Sequence, residues 1–580
     1  MVYWPSGSSS ASQPLPSTRP PRARGVTDDT AQRVRIHHGR ERHFTRRRRG
    51  DRAQNRDRRI HRGDRSLASA AVGDRAHRLH RVGRRRLPHR PAGGGTVNGA
   101  PDHTVGAATA AEDPVSRELQ QEHIYGTFPL LKSERTWSGW DFTWVNTALA
   151  IATWAFLVGG STALLVGFAD GVAAMIIGNA IGLCFMVLAS VPASQRYGSE
   201  QYTLLRGAFG VVGVGLIVFT VILVTEMGWS SLLAVMAGRA TSQVAGTLVG
   251  AEFDQYGPLV TIGGLVAIGI AWFVLSRGPV TIGKFNKFVA PGLAIITVVM
   301  MIVLVATTSW DTLRDASPLA PFDDPTLNFM VAVEFNVGVG VSWYPVMGSL
   351  ARMTKSRRAA VWPAFGALFF ATLIAQAVGM AAALTIGDSD PTYWMVPLGG
   401  PILGVAVLAF IGFANITSMS SIVYSTILAI RQSAGHALRR VPWKALTAAF
   451  FVLPALMTFF PQFMYEQFMV FVSFSGAFLT AICGVALADY FVLRRQHIDL
   501  RELHLGGHGR LYAYTGGVNW AGIVAVIAGA AFYMWLYNPV TLETAPAFSV
   551  ITAALPAALV AAVVYLLIFR VAYASRHPVR

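Results

Sequence analysis

Two acidic residues lie inside long apolar segments, where a charged side chain is expensive. Glu226 lies within the apolar segment 208–237, three residues before Trp229, and Glu334 lies within the apolar segment 328–350. An ionisable group at membrane depth is a functional hypothesis by default. One of the two carboxylates is therefore predicted to be a proton carrier or a cation ligand. The alternative is a position near the membrane interface or a structural hydrogen-bonding role.

A tryptophan–glycine pattern occurs in two apolar segments. Residues 154–160 and 343–349 each contain Trp, four further residues, Gly and then a small residue. Glycines that interrupt a helix free backbone groups at mid-membrane, where these groups can hold a cation or a polar substrate. The pattern predicts a break at Gly159 and Gly160, with both in the substrate site and with Phe156 and Gly159 near the cation, and a matching break in the later segment. Close helix packing through small residues is the alternative.

The segments that must position these residues predict a protein that crosses a membrane many times. Hydrophobic residues make up 53% of the 580 residues and charged residues only 14%. About 20 apolar residues span the bilayer core, and helices satisfy the backbone hydrogen bonds there. The sequence predicts an all-α polytopic membrane protein with twelve transmembrane helices, at 143–168, 171–194, 208–237, 256–277, 286–308, 328–350, 361–386, 399–430, 443–460, 464–492, 519–538 and 547–573.

Charge alternates between the predicted loops. Loops that follow even-numbered spans are basic, for example at Arg352 and Lys355, whereas those that follow odd-numbered spans are mainly acidic, for example at Asp323 and Asp324. Lys and Arg accumulate on the cytoplasmic side of a membrane. The alternation predicts an even number of spans in the cytoplasmic membrane, with both termini in the cytoplasm.

The N-terminal region differs in composition from the rest of the chain. In residues 1–96, 24 arginines stand against 7 acidic residues, a net +17 of the chain's +18, and the first lysine is Lys132. We expect residues 1–115 to be disordered, because they contain too few apolar residues to form a core. Selection for positive charge alone would not exclude lysine so completely. The arginine-only composition is instead typical of GC-rich sequence upstream of the true start, which favours a translation start near Val97. A functional tail that binds nucleic acid or anionic lipid is the alternative.

The sequence lacks the signatures of several other function classes. Cys184 and Cys483 both lie in apolar segments and provide neither a disulfide framework nor metal-ligand spacing. The sequence contains no nucleotide-binding loop and no soluble catalytic domain. It predicts a transporter and not an enzyme or receptor. The expected partners are the lipid bilayer and a small solute, with no nucleic acid, no cofactor, and sodium or a proton as the coupling ion.

Short motifs in the predicted spans resemble those of a known transporter family. The chain resembles the nucleobase–cation symport family 1, which includes permeases for cytosine, purines, uracil, allantoin and hydantoins, over roughly residues 121–535. The motifs that carry the resemblance are GVALADY at 484–490 with Arg494 and Arg495, GGVNW at 516–520, RGAFG at 206–210, GW at 228–229 and NI at 415–416.

The resemblance implies a LeuT-type fold with two inverted five-helix repeats and two further helices. It also implies that aromatic residues of spans three and six sandwich a planar substrate ring. Trp229 matches the first of these positions, and Trp343 is the candidate for the second. Asn415 in span eight would offer the ring both a donor and an acceptor.

Some positions depart from the family pattern. Leu233 stands where the family often has Gln, and Phe413 and Ala414 stand where hydroxyl groups help some members to bind sodium. Thr417 and Ser418 follow closely in the chain and are candidates for the cation site. Sodium coupling and proton coupling therefore both stay open, with Glu226 and Glu334 as the proton-carrying candidates.

The sequence predicts a secondary active transporter that moves a nucleobase or related planar heterocycle with a cation by alternating access. A transporter of the same architecture for an unrelated small solute, such as an amino acid, a vitamin or an amine, is the alternative. The predicted division is an arginine-rich tail, a cytoplasmic lead-in, the first repeat, the second repeat, the last two spans and a cytoplasmic C-terminus, at 1–115, 116–142, 143–308, 328–492, 519–573 and 574–580.

Overall fold

The structure is a computed structural model that describes residues 128–277, 279–434, 438, 441–505 and 511–573. The predicted tail, the lead-in as far as residue 127 and the predicted C-terminus 574–580 lie outside the described residues.

The described chain is helical, and its only β-structure is two isolated bridges. Two helices contain a π-helical turn, at Val218–Ile222 and Ala488–Leu493. The helices are α1 Gly139–Ala150, α2 Thr153–Leu165, α3 Phe168–Tyr197, α4 Gln201–Phe209, α5 Val211–Val249, α6 Pro258–Ser276, α7 Pro279–Thr307, α8 Trp310–Asp315, α9 Pro325–Val341, α10 Tyr344–Ala351, α11 Arg357–Ile386, α12 Pro391–Ala434, α13 Trp443–Met457, α14 Pro461–Glu466, α15 Phe468–Leu493, α16 Leu500–Leu505, α17 Trp520–Leu536 and α18 Ala554–Ala572.

The lengths and compositions of these helices confirm a multi-pass membrane protein. Among the described residues, nine helical segments are long and apolar enough to cross a bilayer, counting α9 with α10 as one, and the bent pair α1–α2 makes a tenth. Two apolar helices, α13 and α17, are shorter, at 15 and 17 residues. The twelve predicted spans include both of these shorter helices.

The first span is broken, but not at the predicted glycines. α1 ends at Ala150, Ile151 and Ala152 are extended, and α2 continues at an angle of 55° to α1. The predicted break at Gly159 and Gly160 is therefore wrong in position.

Gly159 and Gly160 lie within α2 and allow close packing instead. A methyl group at Gly159 would collide with the backbone carbonyl of Gln376 in α11, and one at Gly160 would collide with the carbonyl of Ser389. Phe156 lies in the same helix and is fully buried. The backbone that leaves helical geometry belongs to Ile151 and Ala152, so the glycines match the packing alternative.

The sixth span is broken at its tryptophan, within the segment that the sequence pattern indicated. α9 ends at Val341, Ser342 and Trp343 form the junction, and α10 begins at Tyr344. This span is deeply enclosed: 94% of its most apolar stretch is buried within the protein, compared with 33% for α18. α9 packs chiefly on α3, α2 packs chiefly on α11, and α5 packs chiefly on α12.

The strongest family motifs hold the C-terminal helices to α4. Arg494 forms a buried ion pair with Asp489 at 2.8 Å and donates to the carbonyl oxygen of Gly207 at 2.8 Å. The hydroxyl of Tyr565 in α18 donates to Asp489 at 2.6 Å, and the Asn519 side chain donates to the carbonyl oxygen of Ala208 at 2.8 Å. These motifs therefore have a structural role: they connect the C-terminal helices to α4 at the predicted cytoplasmic ends of the helices.

Candidate functional site

A cavity lies where the two broken spans meet α5 and α12. In this conformation the cavity is small, with a volume of about 20 Å³, which is room for about one water molecule. Its wall contains three tryptophans, a carboxylate, two hydroxyl-bearing residues and four aliphatic residues, namely Trp154, Trp229, Trp343, Glu226, Ser342, Ser418, Leu233, Val339, Val346 and Ile422. Cavities with apolar walls and a few polar groups are the usual form of small-molecule sites.

The two predicted stacking residues both line this cavity, with a third tryptophan between them. The ring centroids of Trp154 and Trp229 lie 6.2 Å apart, at an interplanar angle of 79°. Those of Trp154 and Trp343 lie 5.5 Å apart, at 65°. Edge-to-face packing of this kind is favourable for aromatic rings. Trp154 therefore contacts both candidate stacking surfaces in this conformation.

Trp154 was not among the predicted site residues, although a signal for it exists. It is the first residue of the pattern repeated at 154–160 and 343–349, in which Trp343 holds the equivalent place. The sequence interpretation placed the function on the glycines that end this pattern. In the structure, the tryptophan of each segment lines the cavity instead. Trp154 lies two residues after Ala152 in span one, and Trp343 is part of the junction in span six.

Trp229 is held in place by phenylalanines of α15. Its ring lies 5.9 Å from that of Phe468 and 5.7 Å from that of Phe471, and both pairs pack edge to face. Gly228 in α5 gives Phe471 the space that it needs, because a methyl group at residue 228 would overlap the Phe471 ring. The Gly-Trp motif thus fixes one aromatic wall of the cavity.

Three polar atoms at the cavity are buried and have no hydrogen-bond partner in the described part of the chain. They are Oε1 of Glu226, Nε1 of Trp229 and Oγ of Ser418. Buried polar groups are normally paired, and an unpaired one costs its desolvation free energy. The cavity therefore presents an acceptor, a donor and a hydroxyl that a ligand can satisfy.

Asn415 does not line the cavity. It hydrogen-bonds Thr153, the residue that follows the break in span one. Its side-chain amide donates to Oγ1 of Thr153 at 2.9 Å, and its Oδ1 accepts the backbone N–H of Thr153 at 3.3 Å. Thr417 is also occupied within its own helix, because its hydroxyl donates to the carbonyl oxygen of Ala414 at 2.6 Å. Of the α12 residues predicted for the site, Ser418 is the one whose side chain faces the cavity.

Glu334 lies on α9, away from the cavity. Its Oε2 accepts the backbone N–H groups of Ala553 and Ala554 at 2.8 and 3.3 Å. A carboxylate at a helix N-terminus satisfies free N–H groups and interacts favourably with the helix dipole. This is the structural hydrogen-bonding role that was the alternative for Glu334, and it ties the enclosed span to α18.

The fold is that of known secondary transporters. The chain is similar to Mhp1, described as a nucleobase-cation-symport-1 family transporter in a closed conformation with bromovinylhydantoin bound, at a TM-score of 0.63 and 17% identity over 78% of this chain and 96% of that chain. A Na⁺-coupled sialic acid symporter has a TM-score of 0.50 at 11% identity, with 77% of this chain and 92% of that chain covered. At these identities the likeness shows the fold alone.

Sequence similarity places the chain in a family. A cytosine permease of Escherichia coli (strain K12) is 23% identical over 440 residues, which cover 72% of this chain and 90% of the permease. A purine-uracil permease of Arabidopsis thaliana is 24% identical over 435 residues, which cover 69% of each chain. The family model for permeases of cytosine/purines, uracil, thiamine and allantoin matches residues 129–561. The chain belongs to this family, the nucleobase–cation symport family 1, and is a transport protein and not an enzyme.

Proposed function

We propose that this protein is a secondary active transporter that carries a nucleobase or a related planar heterocycle together with a cation by alternating access. The observation that carries the proposal is the tryptophan-lined cavity at the junction of the two broken spans with α5 and α12. Family membership supports it, because the relatives include permeases for cytosine and for purines and uracil.

The proposed architecture has twelve spans, with α13 and α17 counted, in two repeats of five followed by two helices. Among the described residues, spans one and six, the first of each repeat, are the two in which a break of two residues separates two helices. This correspondence supports an internal repeat of 143–308 and 328–492. The charge alternation of the loops supports a position in the cytoplasmic membrane with both termini inside.

In the proposed mechanism, Trp229 and Trp343 sandwich the substrate ring. Trp154, which contacts both of these rings edge-on, moves when the ring enters. Offset or face-to-face stacking on an indole stabilises a planar heterocycle. The break at Ile151 and Ala152, which Asn415 ties to α12, is the hinge that we propose for this movement.

Sodium and the proton are both retained as candidates for the coupling ion. The candidate residues for this role are Phe156, Gly159, Glu226, Glu334, Thr417 and Ser418. Glu226 is the acidic residue that faces the cavity, so it is the proposed carrier if the coupling ion is a proton. A sodium ion would need backbone oxygens, and the break in span one and the Ser418 hydroxyl are the nearest donors to consider.

A transporter of the same fold for an amino acid, a vitamin or an amine is the second candidate function. The observation that favours it is the apolar wall formed by Leu233, Val339, Val346 and Ile422, which offers a ring few hydrogen-bonding partners. A screen of solutes distinguishes the two candidates.

The test is uptake by the full-length protein in proteoliposomes, with imposed sodium or proton gradients and a panel of purines, pyrimidines, hydantoins, thiamine and amino acids. Trp229→Ala should abolish saturable uptake of the preferred heterocycle, because it removes one stacking surface. Trp535→Ala is the matched control, since Trp535 is 63% exposed on α17. Normal uptake by Trp229→Ala would refute the stacking role, and uptake of amino acids alone would favour the second candidate.

A further inference from the structure

Glu226 is a buried carboxylate that the described chain leaves uncompensated. Its side chain is 1% exposed, and its Oε1 is buried without a hydrogen-bond partner. No ion pair to Glu226 is found among the described residues. Taking a carboxylate out of water without a partner is costly, so Glu226 must be compensated by something other than a protein group, namely a proton, a cation or a bound substrate.

The other buried carboxylates of the described chain each form an ion pair or hydrogen bonds with protein groups. Asp489 is paired with Arg494 at 2.8 Å, and Asp390 is paired with Arg239. Glu334 accepts two backbone N–H groups, and Glu200 accepts those of Tyr202 and Thr203. The absence of a protein partner is therefore a property of the Glu226 position and not of buried acids in this fold.

The position of Glu226 directs it at a ligand ring. Residues three apart share one face of a helix, so Glu226 and Trp229 lie on the same face of α5, and both line the cavity. The facing helix α12 contributes the Ser418 hydroxyl, which is also unpartnered. An aromatic wall beside a single unpaired carboxylate suits a flat ring whose edge carries N–H donors.

We propose that Glu226 accepts hydrogen bonds from the edge of the substrate ring. The preferred substrates are then heterocycles with two adjacent N–H donors, namely cyclic guanidines or amidines such as a 2-amino-4-oxo ring. This inference rests on the proposed function. An ionised carboxylate accepts hydrogen bonds only, and paired N–H donors bind it through two parallel, charge-assisted hydrogen bonds. A positively charged edge would gain further from the faces of the tryptophans.

The test uses competition against uptake of the preferred heterocycle by the full-length protein in proteoliposomes. Two matched pairs isolate the amino group: isocytosine against 4(3H)-pyrimidinone, and guanine against hypoxanthine. The 2-amino member of each pair should compete about tenfold or more better, because it makes the second charge-assisted hydrogen bond. Glu226→Gln should remove this preference, and Glu226→Asp, which keeps the charge, should retain part of it. Glu466→Gln, the same change at an exposed carboxylate on α14, should leave the preference intact.

The outcomes separate this inference from the proposed function. Equal competition within both pairs in the wild-type protein overturns the inference while heterocycle transport stands. That result needs no variant, so it holds even where Glu226→Gln fails to fold. Loss of proton-driven uptake in Glu226→Gln, with the ring preference unchanged when competition is measured in substrate counterflow without a proton gradient, assigns Glu226 to the coupling proton and also overturns the inference. Failure of every heterocycle to compete overturns the proposed function itself.

Discussion

At the scale of single residues, the candidate site depends on three tryptophans, which are supported by different observations. Trp229 and Trp343 were expected from the family resemblance, and the structure brings both to one cavity. Trp154 contacts both and is 3% exposed. In this conformation it lies between the two rings, in space that the proposed mechanism assigns to the stacked substrate.

Trp154→Ala should therefore lower stability and make the protein more responsive to ligand. Truncation of a buried Trp costs about 3–5 kcal/mol, and saturating heterocycle should return a few kcal/mol of this by binding the folded state. Thermal denaturation of the purified protein, with and without ligand, measures both effects. Trp154→Phe is the control and should lose less. A melting temperature unchanged by Trp154→Ala would contradict the packing role.

The sequence predicted residue types at this scale better than residue partners. A carboxylate within an apolar segment is visible in the sequence, but its surroundings are set by helices distant in the chain. Glu334 meets the N-terminus of α18, more than 200 residues later, whereas Glu226 meets a cavity. Asn415 was expected to contact the substrate, but it hydrogen-bonds Thr153, 262 residues before it.

At the scale of helices, the breaks in spans one and six position the site. Glycine is ambiguous at this scale, because it both interrupts helices and permits close packing. Gly159 and Gly160 meet backbone atoms of neighbouring segments and serve packing. The break falls at Ile151 and Ala152, which are ordinary apolar residues, and no local pattern in the sequence indicates it.

The tie between the C-terminal helices and α4 gives a prediction at the same scale. Arg494→Met should destabilise the protein by about 3–5 kcal/mol, because it leaves the Asp489 carboxylate buried without its cation. Asp489→Asn combined with Arg494→Met should recover part of the loss, since the double variant leaves no unpaired charge. Chemical denaturation of the purified protein measures both variants. Equal stability of Arg494→Met and the wild-type protein would show that the tie is dispensable.

At the scale of the whole molecule, apolar segments and loop charges carried most of the information. The long helices lie close to the predicted spans, and the family match extends over 129–561, which includes all of the predicted transmembrane region except its last residues, 562–573. Hydropathy reports well on the number of long apolar helices, because the bilayer imposes one length on every span. It reports less well on short helices such as α13 and α17.

Side-specific labelling tests the twelve-span topology. In a background without Cys184 and Cys483, a single cysteine is placed at the exposed residues Glu252, Lys355 or Glu543. If both termini are cytoplasmic and α13 and α17 each span the membrane, an impermeant maleimide should label Glu252→Cys and Glu543→Cys in intact cells. It should label Lys355→Cys only after permeabilisation. Residue 543 separates twelve spans from eleven, because omission of one of α13 and α17 moves it to the other face while leaving 252 and 355 unchanged. Omission of both helices returns residue 543 to the labelled face. Arg501→Cys, at an exposed position after α15, distinguishes this ten-span case, because it should be protected in intact cells only if α13 spans the membrane. Protection of Glu543→Cys in intact cells, with labelling of Glu252→Cys, would therefore reduce the count to eleven spans and place the C-terminus outside.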